Sequence, residues 1–232
     1  SDALETADNH VIIKHGLKEI AWSKGKSVTF MAKYDHRKAG SSSHVHQSLW
    51  TLDGKAAFYD PADEHGMSQL MKHYMAGQLA YARDMTVFMA PYVNSYKRYT
   101  IGMFAPTKAV WSADNRTAGF RVCGLHSKAI RVECRIPGSD VNPYLVCAAL
   151  LAAGLDGIEQ KMELEPEMKG DMYHAEGVRQ IPHNLRDAAA LLKGSTMLRR
   201  AFGDDVVDHY HHNAQWEISE TDRVVTDFEL QR

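Results

Sequence analysis

No apolar run in this sequence approaches the roughly 20 residues a membrane-spanning helix needs, so no membrane partner is expected. Charge of one sign is also missing. The formal net charge is −2, which gives no global field to attract nucleic acid or an anionic membrane. Cysteine is scarce: Cys123, Cys134 and Cys147 are scattered and form no C-x-x-C pair. Such a set reads as buried thiols in a reducing compartment, the cytoplasm, rather than as a disulfide framework. Neither G-x-x-x-x-G-K-[ST] nor G-x-G-x-x-G occurs, so neither a P-loop nor a Rossmann nucleotide site is supported. There is no internal repeat and no low-complexity linker. An initiator Met and a signal peptide are absent too, and the first residues already carry a helical pattern. This reads as a fragment whose N-terminal part lies elsewhere.

What remains is an ordinary globular composition. The 232 residues are 44% hydrophobic and 24% charged, compatible with one domain. Leu4, Ala7, Val11, Ile12, Ile20 and Ala21 recur at roughly helical spacing, predicting an amphipathic helix over about residues 2–24 that ends at Gly25. Residues 26–34 and 44–52 are β-rich and read as strands, the second closed by the Asp53-Gly54 turn. A long helix is predicted over 67–90, stopped by Pro91; its Met71, Met75 and Met85 read as packing residues. Three more strands are expected within 109–113, 117–124 and 128–138. Then comes a strongly apolar helix over 142–162 with Pro143 in its first turn. Two further helices follow, over 184–195 with Asn184 as N-cap and over 204–225. The fold class is α+β, a curved antiparallel sheet backed by helices.

Three constellations carry chemistry. In "HVHQSLW" strand alternation puts His44, His46, Ser48 and Trp50 on one face. Two imidazoles and a hydroxyl suit a metal–phosphate site, and they equally suit a half-buried polar strand face. In "KAIRVECRIPG" one face holds Arg131, Glu133 and Arg135, the other Ile130, Val132, Cys134 and Ile136. The second face is core. The first is either a solvated ladder of ion pairs, or a carboxylate for a hard cation flanked by guanidiniums for phosphate oxygens. Arg116 and Arg121 in "DNRTAGFRV", with Arg98 in "NSYKR", bring the arginines of the middle third to five. Such a cluster is what phosphoryl transfer requires, because charge builds on the transferred group. His209, His211 and His212 in "DHYHH" have no evident carboxylate partner and read as solvated surface.

"GSSSHVHQSLW", "NSYKR", "FAPTKAVWSADNRTAGFRV" and "IRVECRIPGSDVNPYLVCAALLAAGLDGI" together resemble, in order, the catalytic domain of glutamine synthetases of the bacterial class I type. The resemblance runs from about residue 1 to "DFEL" near the end. It implies an ATP-dependent carbon–nitrogen ligase that activates glutamate as γ-glutamyl phosphate and passes it to an amine. ATP and Mg²⁺ or Mn²⁺ are the implied cofactors. By the same resemblance His44 and Glu133 would be metal ligands, and His46, Ser48, Arg116, Arg121 and Arg131 would contact the nucleotide and its phosphates. Arg98 and Arg135 would hold glutamate's carboxylates and the transferred phosphoryl, with Arg98, Arg116 and Arg135 as the catalytic set. The backbone of Gly40 would face the glutamate. The family forms large rings, commonly dodecamers, so a homo-oligomer is implied. Residues 1–232 would be the C-terminal catalytic domain, with an N-terminal domain and part of the catalytic domain, including the remaining metal-binding carboxylates, upstream.

Two positions depart from the family pattern. The family's G-Y-E-A-P loop reads "GMFAP" here, with Phe104 at the glutamate position, and Ala39 stands where an asparagine is common. A phenyl ring cannot accept a proton from ammonium, and it favours an apolar or cationic group. The departures resemble the γ-glutamylpolyamine and γ-glutamylamine synthetase branch, implying an acceptor such as putrescine, spermidine or ethanolamine. A genuine glutamine synthetase using ammonia, and a catalytically inactive structural or regulatory relative, are the alternatives. The second is disfavoured because an Arg-Glu-Arg strand face is expensive to hold without ligands.

Overall fold

Asp2 caps the first helix: its Oδ1 accepts from the Glu5 N–H at 2.8 Å, and the chain runs helical over α1 (Ala3–Ser23) before Gly25, at φ +63°, turns it away. A computed structural model describes residues 2–100 and 102–231. The elements that follow are β1 (Val45–Gln47), α2 (Gln69–Tyr81), α3 (Thr86–Met89), α4 (Val93–Tyr96), β2 (Trp111–Ala113), β3 (Phe120–Cys123) and β4 (Arg131–Cys134). The rest are α5 (Pro143–Glu159), α6 (Leu185–Gly194), α7 (Thr196–Phe202), α8 (Asp204–Asp222) and α9 (Asp227–Leu230). Asn142 caps α5 with Pro143 in its first turn, and Asn184 caps α6, as their side chains predict. Among the described residues, no helix is long and apolar enough to cross a membrane.

The four strands form one sheet in the order β1-β4-β3-β2. The class is α+β as expected, but the sheet is mixed. β1–β4 and β3–β4 pair antiparallel, whereas β2 and β3 pair parallel, Trp111 opposite Phe120. Parallel neighbours require the chain to travel back a strand length. A three-residue strand is about 10 Å long, and the six-residue connection 114–119 spans that, helped by Asp114 at φ +47°.

Three other expectations are corrected. Residues 26–34 form no strand and join no ladder. They are pinned by loops instead: Asn94 Oδ1 accepts from Lys33 N at 3.0 Å, and Phe30 O accepts from Ser139 Oγ at 2.8 Å. The strand expected over 44–52 pairs in the sheet only over Val45–Gln47, although the Asp53-Gly54 turn does form, with Gly54 N donating to Thr51 O. The helix expected over 67–90 breaks after Tyr81. Thr86, Val87, Phe88 and Met89 are all buried, so apolar residues surround the chain there and helical periodicity carries no signal for the break.

One sheet face and α2 and α5 make the core. Gln47 ties them together: its Oε1 accepts from Tyr74 Oη at 2.8 Å and from Gln78 Nε2 at 2.6 Å, and Gln78 also donates to the Leu150 carbonyl at 2.9 Å. Met71, Met75 and Met85 are fully buried, as packing residues should be. The α1 helix behaves differently. Only Ala7 is buried, while Leu4, Ile12, Ile13, Ile20 and Trp22 remain exposed. It is attached along one edge, where Tyr144 Oη donates to Asp8 and Lys14 Nζ to the Ser139 carbonyl.

Helices α2 and α5 cross where glycines leave room. A Cβ on Gly77 would lie 2.1 Å from the Ala153 carbonyl oxygen and 2.8 Å from the Gly157 backbone. The obstacle is main chain, so it cannot rotate away. Gly77→Ala is expected to cost roughly 3 kcal/mol, read as a fall of about 6–12 °C in Tm for a chain of this size. An unchanged Tm in a thermal melt would show that this crossing is loose.

Candidate active site

Alternation along β3 and β4 sorts their side chains. Phe120, Val122, Val132 and Cys134 enter the core with Ile130 and Ile136, and Arg121, Cys123, Arg131 and Glu133 take the opposite face. Register then fixes the neighbours. Glu133 lies directly opposite Arg121 on β3 and directly opposite His46 on β1. With a strand on either side, Glu133 is only 2% exposed.

Its carboxylate is surrounded. Oε1 accepts from Arg135 Nη1 at 2.6 Å and lies 3.0 Å from His44 Nδ1 and 3.8 Å from His46 Nε2. Oε2 accepts from Arg121 Nη1 at 2.9 Å and from Cys123 Sγ at 3.4 Å. Burial alone would push the Glu133 carboxyl up. Arg121, Arg135, Cys123 and His44 outweigh it and hold the group down at about 2. Burial, aided by Arg135 for His44 and by Arg131 for His46, pushes both imidazoles below their ordinary value despite the pull of Glu133. The Cys123 thiol is pushed up by burial and by its bond to Glu133, so it keeps its proton.

The second ring of contacts orients the first. Arg131 Nε donates to His46 Nδ1 at 3.1 Å. An arginine can only donate, so the proton of neutral His46 sits on Nε2, facing Glu133. Arg135 Nε donates to the Arg116 carbonyl at 3.0 Å. Arg121 also pairs with Asp114. The exposed Arg116 guanidinium has no hydrogen-bond partner among the described residues.

Thus His44, His46, Arg121, Arg131, Glu133 and Arg135 come together, and Arg116 joins them through its backbone. Ser48 lies past the end of β1, where its Oγ accepts from Trp50 Nε1 at 3.0 Å rather than bonding to this cluster. Arg98 and Gly40 form a neighbouring pair. Arg98 is 2% exposed, donates from Nη2 to the Ile136 carbonyl, and leaves Nε without a partner among the described residues. A Cβ on Gly40 would fall 2.6 Å from Arg98 Cγ and 2.4 Å from the Ala32 carbonyl oxygen, so only glycine lets these chains approach. Phe104 stands apart in its loop, 74% exposed and at φ +59°. Ile101, in the same loop, lies outside the described residues.

Sequence reasoning missed Cys123 and Asp114. Cys123 had a usable signal, since it follows Arg121 by two residues in one strand and must share its face. Asp114 had none, because its approach to Arg121 depends on a left-handed turn residue that is neither Gly nor Asn. The histidines of "DHYHH" lie on α8, away from this cluster.

An ionised carboxylate beside a neutral imidazole suits a hard or borderline divalent cation, and four arginines around it suit phosphate oxygens. These donor types fit a protein that handles a polyphosphate with a divalent cation. The comparisons agree: the family model for the glutamine synthetase catalytic domain matches residues 1–232, and the chain belongs to that family. It is 48% identical over 231 residues to the gamma-glutamylethanolamide synthetase GlnA4 of Streptomyces coelicolor, covering 100% of this chain and 49% of that protein. It is 40% identical to the glutamate–isopropylamine ligase of a Pseudomonas species, covering 100% and 51%. Among solved structures it resembles GmaS in complex with ADP, with TM-score 0.91 and 32% identity, covering 100% of this chain and 54% of that one. The chain spans about half the length of the curated relatives it matches.

The charge balance around Glu133 makes a prediction. The carboxyl, ordinarily near 4.5, is held at about 2 in the fold. Its stabilisation is complete above about pH 4.5 and fades as pH falls toward about 2. Glu133→Gln is expected to lose on the order of 3 kcal/mol at pH 7, with the gap to wild type narrowing across that acid window. Urea unfolding at several pH values measures it, and a gap constant with pH would sink the ion-pair account.

Proposed function

We propose that the protein containing this chain is an ATP-dependent glutamate–amine ligase, and that residues 1–232 are the C-terminal part of its catalytic domain. The observation that carries the reading is the ionised Glu133 carboxylate held between the Arg121 and Arg135 guanidiniums, with His44 and His46 beside it. Glutamate's γ-carboxylate attacks the γ-phosphorus of ATP, and ADP leaves. The amine nitrogen then attacks the γ-carbonyl carbon, loses a proton and expels phosphate. His44 and Glu133 are the residues that would hold a divalent cation, which when bound neutralises phosphate oxygens. Arg116, Arg121 and Arg131 meet the charge of the nucleotide phosphates, and His46, oriented by Arg131, faces the same side. Ser48 has a weaker claim, since its hydroxyl is taken by Trp50. Arg135 and the half-satisfied Arg98 hold the glutamate and the transferred phosphoryl, with the Gly40 backbone against Arg98.

The acceptor is an organic amine. Phe104 supports this, because a phenyl ring offers an apolar or cation–π surface and no proton acceptor. The two relatives named for ethanolamide and isopropylamine products point the same way. A second reading, ammonia as acceptor, draws on 38% identity to the glutamine synthetase of Thermus thermophilus.

ATP-dependent phosphate release by the intact protein is expected with glutamate plus ethanolamine, isopropylamine, putrescine or spermidine, and to be weaker with ammonium. Turnover with ammonium alone would overturn the amine reading, and no turnover with any amine would favour an inactive relative. Phe104→Glu is expected to lower turnover with an organic amine roughly 10-fold or more while nucleotide affinity holds. An equal loss of both would remove Phe104 from the acceptor site.

A further inference from the structure

The donors around Glu133 are unequal. Oε1 is held by the Arg135 guanidinium at 2.6 Å and faces His44 Nδ1 at 3.0 Å. Oε2 is held by the Arg121 guanidinium at 2.9 Å, and its remaining contact is the Cys123 thiol at 3.4 Å. A charge-assisted guanidinium bond is roughly twice as strong as a neutral one, and a thiol is a weak donor even among neutral groups. A carboxylate oxygen offers about two lone-pair sites, so both on Oε2 are engaged. A cation that binds through Oε2 must displace a donor, and the least costly one to displace is the thiol. Cys123 is only 4% exposed.

We propose that Cys123 is a positioning residue for Glu133: its S–H holds Oε2 in the binding orientation while the site is empty and yields that lone pair when a divalent cation arrives. The inference rests on the reading of Glu133 as a cation ligand. A stronger donor at this place would compete with the cation, and no donor would leave a buried carboxylate oxygen short of a partner and free to turn away. The sulfur meets both demands. No other side chain among the described residues makes this contact: His46 Nε2 is 3.8 Å from Oε1, and Arg131 Nε donates to His46.

Mn²⁺ binding to the intact protein, followed by electron paramagnetic resonance without nucleotide, tests this with four proteins: wild type, Cys123→Ala, Cys123→Ser and Glu133→Gln. Hydrogen-bond partners of metal ligands are worth about 10–100-fold in metal affinity, and a weak donor belongs at the low end. Cys123→Ala is therefore expected to weaken Mn²⁺ binding roughly 10-fold, and Cys123→Ser, which keeps a donor, to recover most of it. Wild-type affinity in Cys123→Ala overturns the proposal. So does a loss that serine fails to rescue, because packing alone would then explain it. If Glu133→Gln abolishes binding while Cys123→Ala does not, only the role of Cys123 falls. If Glu133→Gln binds Mn²⁺ like wild type, the ligand reading falls and takes the proposal with it.

Discussion

The carboxylate of Glu133 is the group on which this face of the molecule depends. A buried ion is costly unless its partners are in place, and here the partners come from the two strands on either side of β4 and from the residues just before β1 and just after β4. Arg121 is delivered by β3, the histidines by β1 and the residue just before it, and Arg135 by the residue that follows β4. The cluster therefore exists only when β1, β4 and β3 are in register. The demand runs the other way as well, because a one-residue slip would put Val132 or Cys134 among the arginines and Glu133 into the core. Apolar packing on one face and ion pairing on the other select the same register.

That double selection explains which parts of the structure were legible in the sequence. The strand holding Glu133 lies between two neighbours and alternates core and site residues without exception from Ile130 to Ile136, so a period of two identified both faces. Helix ends were legible where a side chain could cap them, as at Asn142 and Asn184. Residues 26–34 misled because β-rich composition describes what a segment tolerates, while a ladder also needs a partner strand. This one is held by side-chain bonds to Asn94 and Ser139, more than 60 residues away. The parallel pairing of β2 and β3 was illegible for a similar reason: the return of the chain is decided by a left-handed Asp114 that no composition rule marks.

The two halves of the proposed chemistry are built differently. The groups proposed for phosphate and cation stand mostly on paired strands or within a residue of their ends, where the core fixes them. Phe104, the residue proposed to choose the acceptor, sits in a loop, exposed, in a left-handed conformation that costs a non-glycine residue about 1–2 kcal/mol. Loops over a rigid scaffold tolerate change without disturbing the fold beneath. A gamma-glutamylethanolamide synthetase, a glutamate–isopropylamine ligase and a glutamine synthetase accordingly all match this chain over its whole length despite their different names.

Net charge hides the field that matters. The chain as a whole is formally −2, which at the level of composition argues against any anionic partner. Around Glu133 the balance is reversed, with Arg116, Arg121, Arg131 and Arg135 against the carboxylates of Glu133 and Asp114, an excess of two positive charges over a few side chains. Of the four, Arg121 and Arg135 are neutralised by those carboxylates, Arg131 is bound to an uncharged imidazole, and the Arg116 guanidinium has no hydrogen-bond partner among the described residues. Two guanidiniums are thus left without an anionic partner among the described residues. A buried carboxylate kept ionised at the centre of such an excess draws cations and anions to adjoining positions at once. A nucleotide phosphate carrying its own divalent cation meets that demand, because it brings both charges in one ligand.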